Sequence, residues 1–268
     1  MNVQIIGADA KQIGQMKLPV QFDEPVRADL IKRAVLAIQS HDRQQYGADP
    51  RAGRKQSAKL SRRRRDYKGS YGKGISRSPR KTMSHRGSQF MWMGAFAPNT
   101  VGGRRAFAPR AGKVWTQKIN DKERKKAIRS AIAATMQKDI VVSRGHKVPP
   151  SFPFIIDDSF EALKTSKAVE QALLNLQLAD ELARASVTRT RGGRAARRGR
   201  GTVRAIGPLI VVSKDAPVVK AARNIPGVEA VVVDRLNARL LAPGREPARL
   251  TLFTAAAVQK MEKESLFI

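Results

Sequence analysis

Between positions 46 and 115 the side chains able to do chemistry are cations and aromatic rings, set close together. Eighteen Lys and Arg stand there against two acids, Asp49 and Asp66. The cations are Arg51, Arg54, Lys55, Lys59, Arg62, Arg63, Arg64, Arg65, Lys68, Lys73, Arg77, Arg80, Lys81, Arg86, Arg104, Arg105, Arg110 and Lys113. All three Tyr (Tyr46, Tyr67, Tyr71) and both Trp (Trp92, Trp115) fall in the same stretch, with Phe90, Phe96 and Phe107. Cations neutralise phosphates, and aromatic faces stack on unpaired bases. The mixture predicts a surface for folded RNA with exposed loops, with Tyr71 and Trp92 as its stacking residues. Gly69, Gly72, Gly74, Gly102 and Gly103 would let the backbone turn tightly and approach a phosphate chain.

A second cationic cluster spans residues 184–204, with eight Arg and no acid. Arg191, Arg194, Arg197, Arg198, Arg200 and Arg204 are its candidate RNA contacts, because guanidinium binds phosphate bidentately and stacks on bases. Taken alone, Ser61-Arg62-Arg63-Arg64-Arg65 reads equally well as a solvated charge run or a localisation signal. The charge continues well beyond it with interleaved aromatics, which favours nucleic acid.

Chemistry of other kinds is missing. His41, His85 and His146 are scattered and lack clustered acids, so no metal site is expected. There is no Gly-x-Ser-x-Gly elbow. Gly69-Ser70-Tyr71-Gly72-Lys73-Gly74 lacks the spacing of a phosphate loop, and Gly7 and Gly14 lie too far apart for a dinucleotide turn. Asp157-Asp158 is a paired carboxylate at a strand end, but helix capping by Asp158 accounts for the second residue. No cofactor and no enzymatic activity are expected.

The elements that must position these residues can be read from periodicity. A short strand is predicted around Val3-Gln4-Ile5-Ile6. Asp23-Glu24-Pro25 predicts a helix start, followed by Val26, Leu30, Ala34, Val35 and Ile38 at helical spacing. Asn120-Asp121-Lys122-Glu123 reads as a capping box. Ala127, Ile128, Ala131, Ile132 and Thr135 then form an inner helix face, with Lys122, Lys125, Lys126 and Arg129 as a positive stripe outside. Phe154-Ile155-Ile156, Leu209-Ile210-Val211-Val212, Ala230-Val231-Val232-Val233 and Leu250-Thr251-Leu252-Phe253 predict strands. Helices are expected around Val169–Leu176, after Pro217, and after a Thr254 cap. Strands apolar on both faces, separated by helices, predict an α/β fold: an open, mostly parallel sheet flanked by helices. The 46–115 stretch shows no sustained period and predicts a long extended basic loop. Its arms of about 35 residues could each reach on the order of 100 Å. The expected organisation is therefore a body of residues 1–45 and 116–268, the loop 46–115, and an Arg/Gly segment 184–204 within the body.

Composition sets the outer bounds. The net charge is +30 over 268 residues, of which the two basic segments carry +24. Such an excess demands a polyanionic partner. There is no Cys, which excludes disulfides and thiolate chemistry and fits a reducing compartment. Apolar runs are too short to span a bilayer, so no membrane partner is expected. The start, Met1-Asn2-Val3-Gln4-Ile5-Ile6, has no signal-peptide pattern.

A set of local motifs, in order, adds to this reading. They are Glu24-Pro25-Val26-Arg27-Ala28-Asp29-Leu30-Ile31, Val101-Gly102-Gly103-Arg104-Arg105-Ala106, Asn120-Asp121-Lys122-Glu123-Arg124 and Arg129-Ser130-Ala131-Ile132-Ala133-Ala134-Thr135. Arg144-Gly145-His146, the Arg/Gly segment, Leu241-Ala242-Pro243-Gly244 and Arg249-Leu250-Thr251-Leu252-Phe253-Thr254 complete them. Together they resemble the large-subunit ribosomal protein four family in its archaeal and eukaryotic form, over nearly the full length. The resemblance implies a structural, non-enzymatic protein of the cytoplasmic ribosome, with an α/β globule on the outer side of the large subunit. It implies a long loop threaded into large-subunit rRNA, its tip, roughly residues 62–89, reaching the wall of the polypeptide exit tunnel. The implied partners are that rRNA, neighbouring large-subunit ribosomal proteins and the nascent polypeptide near the tip, without homo-oligomerisation. Gln89-Phe90-Met91-Trp92-Met93-Gly94-Ala95-Phe96 departs from the pattern in being more apolar. An RNA-modifying or RNA-chaperone protein with an α/β body is the alternative, and specific binding of a nucleotide or methyl-donor cofactor would favour it. A DNA architectural protein is a third reading, against which the aromatics argue.

Overall fold

The computed structural model describes all 268 residues and divides them into two units, Met1–Asp42 with Thr116–Ile268, and Arg43–Trp115. In chain order the elements begin with β1 (Asn2–Ile6), β2 (Gln12–Lys17), α1 (Ala28–His41), β3 (Arg80–Arg86) and β4 (Gln89–Gly94). Then come α2 (Asp121–Thr135), α3 (Lys138–Ser143), β5 (Phe154–Ile156), α4 (Ser166–Asn175), α5 (Ala179–Ser186), β6 (Thr188–Thr190), α6 (Gly193–Arg197) and β7 (Thr202–Arg204). The chain closes with β8 (Leu209–Val212), α7 (Pro217–Ala222), β9 (Glu229–Val232), α8 (Ala238–Leu241), β10 (Thr251–Phe253) and α9 (Ala255–Lys263).

The first unit is mixed α/β, but its strands do not form one open, mostly parallel sheet. They form two three-stranded sheets, β2-β1-β5 and β10-β8-β9, and a separate β6-β7 hairpin. β1 pairs antiparallel with β2 and parallel with β5, whereas both pairings of β8 are parallel. A lone parallel bridge, Ile156 to Thr254, links the two sheets. β5 has only three residues, and Asp157 turns out of it into a 3-10 turn, so no further ladder can form there.

Alternation along the strands explains the core. Phe154, Ile156, Ile210, Val212 and Leu252 pack on one side with α4 and α7. Ile155, Leu209, Val211 and Phe253 pack on the other with α1, α2 and α9. Successive side chains of a strand point to opposite faces, so two helical layers are needed to cover these. Each large apolar side chain so buried contributes about 1.5–3 kcal/mol. The inner face of α2 is as its spacing predicts: Ala127, Ala131 and Ile132 are fully buried. Pro217 stands in the first turn of α7, and Thr254 Oγ1 caps α9 by accepting from Ala257 N.

Three end signals act elsewhere than expected. α1 begins at Ala28, not at Pro25, and its cap Arg27 uses no side chain. Instead Arg27 N donates to Ser130 Oγ, which donates to Pro25 O, while Glu24 pairs with Arg129 and Lys126 of α2. The approach to α1 is thus tied to α2, and part of the expected positive stripe is neutralised. No capping box forms at Asn120, and Glu123 Oε1 instead accepts from Arg33 of α1 at 2.8 Å. Asp158 does cap a helix, but a distant one: its carboxylate accepts from Ala256 N at 2.6 Å. Glu161 nearby is buried and accepts from Ser213 N, Ser213 Oγ and Thr254 Oγ1.

The second unit, 43–115, is not without regular structure. β3 and β4 pair antiparallel around Gly87-Ser88, with an irregularity between Thr82 and Ser84. Its outgoing and returning arms run side by side, Ala48 N donating to Pro109 O at 2.9 Å. Glycine is required at two such points. A Cβ on Gly47 would collide with Ala111 N, and one on Gly53 would sit 2.6 Å from Arg104 Cα.

Candidate nucleic-acid interface

Of the candidate contacts, Arg80, Lys81, Trp92 and Arg104 are half-buried and the rest are exposed. Lys55 is the one cation of the 46–115 stretch paired with a carboxylate, Asp49 at 2.9 Å. Asp66, the other acid, accepts from Ser61 Oγ and balances no cation. Positive charge is therefore presented rather than compensated.

Aromatic rings hold this surface in shape. At the root, Tyr46 and Trp115 stack with centroids 5.6 Å apart, and Arg43 and Lys113 lie 4.0 Å and 4.3 Å from the Trp115 ring. Arg64 Nη2 donates to Tyr71 Oη at 3.1 Å, and the Arg64 and Arg77 guanidiniums lie 4.9 Å and 5.1 Å from that ring. On β4, Phe90 and Trp92 stack at 5.2 Å with Lys73 against both, while Trp92 Nε1 donates to Thr82 Oγ1. Cation–π contacts bring ring and charge together without cancelling the charge. Arg80 differs: its guanidinium donates to Ser76 O, Ser76 Oγ and Ser78 O, which fixes the turn before β3.

The hairpin alternates by face. Phe90 and Trp92 are half-buried, whereas Met91 and Met93 on the opposite side are exposed. Gly72, Gly74 and Gly102 take positive φ, as tight turns require. Gly69 and Gly103 instead pack against their own backbone near Asp66 O and Ala97 O.

The second Arg cluster is a hairpin, β6-β7, with α6 at its tip. Arg191 N donates to Gly201 O at 2.7 Å, closing the strands, and the six candidate Arg side chains point to solvent. Arg184 does not belong to the exposed set. Its guanidinium is bound to Glu181 and to Ile206 O, so it anchors the hairpin's root. Glu181, fully buried, also accepts from Lys147 N at 2.9 Å and meets His146 Nδ1 at 2.7 Å. Burial lowers the His146 pKa, and Arg184 Nη2 lies 3.1 Å from the same Nδ1 that meets Glu181. Burial raises that of Glu181, but hydrogen bonds from Arg184, His146 and Lys147 N outweigh it and leave the carboxylate below its usual range. Arg249, 1% exposed, donates to Gly207 O at 2.8 Å and pairs with Glu229, holding the strand that follows the hairpin. Arg43 and Arg189 join the exposed basic surface, although neither stands among the candidates from sequence. Arg189 lies within the charge run, whereas only the fold brings Arg43 to Trp115.

No group of three or more His, Asp or Glu is placed to hold a metal ion, and no helix is long and apolar enough to cross a membrane. Residues 16–264 match the model of a family described as the ribosomal protein L4/L1 family. The chain is 44% identical over 268 residues to a large ribosomal subunit protein uL4 of Nanoarchaeum equitans, covering 100% of both chains. It is 39% identical over 263 residues to the uL4 of Archaeoglobus fulgidus, covering 97% of each. It is also 39% identical over 264 residues to that of Methanosphaera stadtmanae, covering 97% of this chain and 95% of the relative.

Proposed function

Because the chain belongs to the ribosomal protein L4/L1 family, we propose that it is a structural constituent of the large ribosomal subunit and binds large-subunit rRNA. It is a structural ribosomal protein and not an enzyme. In this reading it works in the cytoplasmic ribosome. The segment 46–115 threads into the RNA and its tip forms part of the wall of the polypeptide exit tunnel, near the nascent chain. The unit with the two-faced core docks on the subunit's surface beside neighbouring ribosomal proteins, with the 184–204 hairpin as a second RNA contact.

One observation supports this most directly: Lys55–Asp49 is the sole ion pair in a 46–115 stretch of eighteen cations. A surface that is cationic and left unneutralised by its own chain is completed by phosphate, with release of condensed counterions. The exposed Tyr71 ring adds a stacking face for an unpaired base.

Replacing Arg62, Arg63, Arg64 and Arg65 together by Ala tests the reading. Affinity for large-subunit rRNA should fall across all sequences, and the slope of log K against log salt should lessen by about 0.7–0.9 for each phosphate no longer neutralised. An unchanged slope would refute the phosphate role of this run. For the tunnel, a photoreactive residue placed at Arg77 should crosslink to an arrested nascent chain in assembled ribosomes. Crosslinking confined to RNA and neighbouring proteins would remove that part of the reading.

A further inference from the structure

Within the 43–115 unit lies a cavity of about 760 Å³ whose lining combines three chemistries. Tyr67 and Trp92 supply aromatic surface, and Lys59, Lys68 and Lys81 supply cations with no carboxylate partner. Gln56 and Ser70 supply polar atoms that the chain itself leaves unused. Ser70 is 5% exposed, yet its Oγ has no hydrogen-bond partner, and neither has the buried Gln56 Oε1. Buried polar atoms are almost always satisfied, and leaving one unpaired is costly. Both residues line this one cavity, and their unpaired atoms point to a partner from outside the chain that they turn to meet.

We propose that this cavity receives a single unstacked nucleotide of an RNA strand. The inference rests on the RNA-binding reading above and makes it more specific. The volume falls within the roughly 300–1,000 Å³ of small-ligand sites. Base edges carry both donors and acceptors, so one base can satisfy the Gln56 carbonyl and the Ser70 hydroxyl once these side chains turn toward the cavity. The ring surface of Tyr67 and Trp92 takes the base face, and the lysines take the flanking phosphates. A perfect duplex offers no free base edge or face and cannot fill this site. Phe90 and Lys73 lie against Trp92 without lining the cavity, which gives the ring support from outside it.

The chain has two Trp, so Trp115→Phe leaves Trp92 as the sole indole reporter in the full-length protein. Two RNA hairpins that differ only by one bulged nucleotide are titrated against it, alongside a free 5′-mononucleotide. The bulged hairpin should quench Trp92 and bind on the order of tenfold more tightly than the perfect one. Ser70→Ala and Gln56→Leu should each erode that preference severalfold while leaving the affinity for the perfect hairpin unchanged. Equal binding and equal quenching by the two hairpins would overturn the assignment and leave general RNA binding intact. Failure of both hairpins to bind would overturn the RNA reading with it. A mononucleotide as tight as the bulged hairpin would mark a free-nucleotide site instead, which also overturns the assignment to a strand.

Discussion

Val35, Ile132, Ile155 and Leu209 are completely buried in the first unit, whereas Ala95 is the one buried apolar side chain between positions 43 and 115. The first unit stores its conformation in apolar surface removed from water on both faces of its strands. The second unit stores it in contacts that leave charge outside: ring stacks, cation–π pairs, a two-stranded hairpin and glycines where two arms touch. Burial of the first kind yields a body indifferent to its partners. Contacts of the second kind yield a shaped cationic surface whose energy is completed by whatever neutralises it.

The contrast can be broken most sharply by removal. Deleting residues 55–110 should leave a cooperatively unfolding domain, since neither core cluster contains a residue from 43–115. Its affinity for large-subunit rRNA at matched salt should fall on the order of a thousandfold. If the truncated protein bound that RNA as tightly as the full chain, the division of labour would be wrong. Next in size, Ile132→Ala should cost about 2–5 kcal/mol in denaturant unfolding. Met91→Ala, on the exposed face of β4, should cost less than about 0.5 kcal/mol; equal costs would erase the distinction.

Acid should attack the first unit at the root of the second Arg hairpin. His146 and Glu181 both have folded pKa values depressed below their ordinary 6.5 and 4.5. A depressed group contributes stability that is full above its unfolded pKa and disappears as pH falls through the folded one. Melting temperature should therefore begin to fall below about pH 6.5 and fall again below about 4.5. His146→Gln should abolish the first decline, and persistence of that decline would assign it to another group. The smallest effect belongs to Asp49→Asn, which breaks the exposed pair with Lys55. It should change stability by less than about 0.5 kcal/mol, as read by the same melts.

Local signals in the sequence are legible where a single segment decides them. The inner face of α2, the continuous apolar run of β8, Pro217 in the first turn of α7 and the Thr254 cap each depend on residues within a few positions. Signals that need a distant partner mislead. Glu123 and Asp158 have the types and spacing of local caps, yet Arg33 and Ala256 N claim them from far along the chain. β2 gives little sign of itself because Gln12–Lys17 is polar and mostly exposed, an edge strand with little apolar alternation. The β3-β4 hairpin does carry period-two alternation, Phe90 and Trp92 inward against Met91 and Met93 outward, but density of charge and glycine masks it. The expected single sheet fails for a related reason: a run of apolar residues predicts a strand, not which neighbour it pairs with.

The dependence of Glu161 on Thr254, and of Ala256 N on Asp158, has a consequence for how the molecule is made. Synthesis proceeds from the N-terminus, so β10 and α9 emerge after the other elements described. Until they do, β8 has one unpaired edge, the Glu161 carboxylate lacks a hydroxyl, and Leu252, Phe253, Val258 and Met261 are missing from both cores. The cationic arm is complete long before that moment. A chain cut before Thr251 would therefore carry a finished RNA-binding surface over an open interior, an easy target for proteolysis.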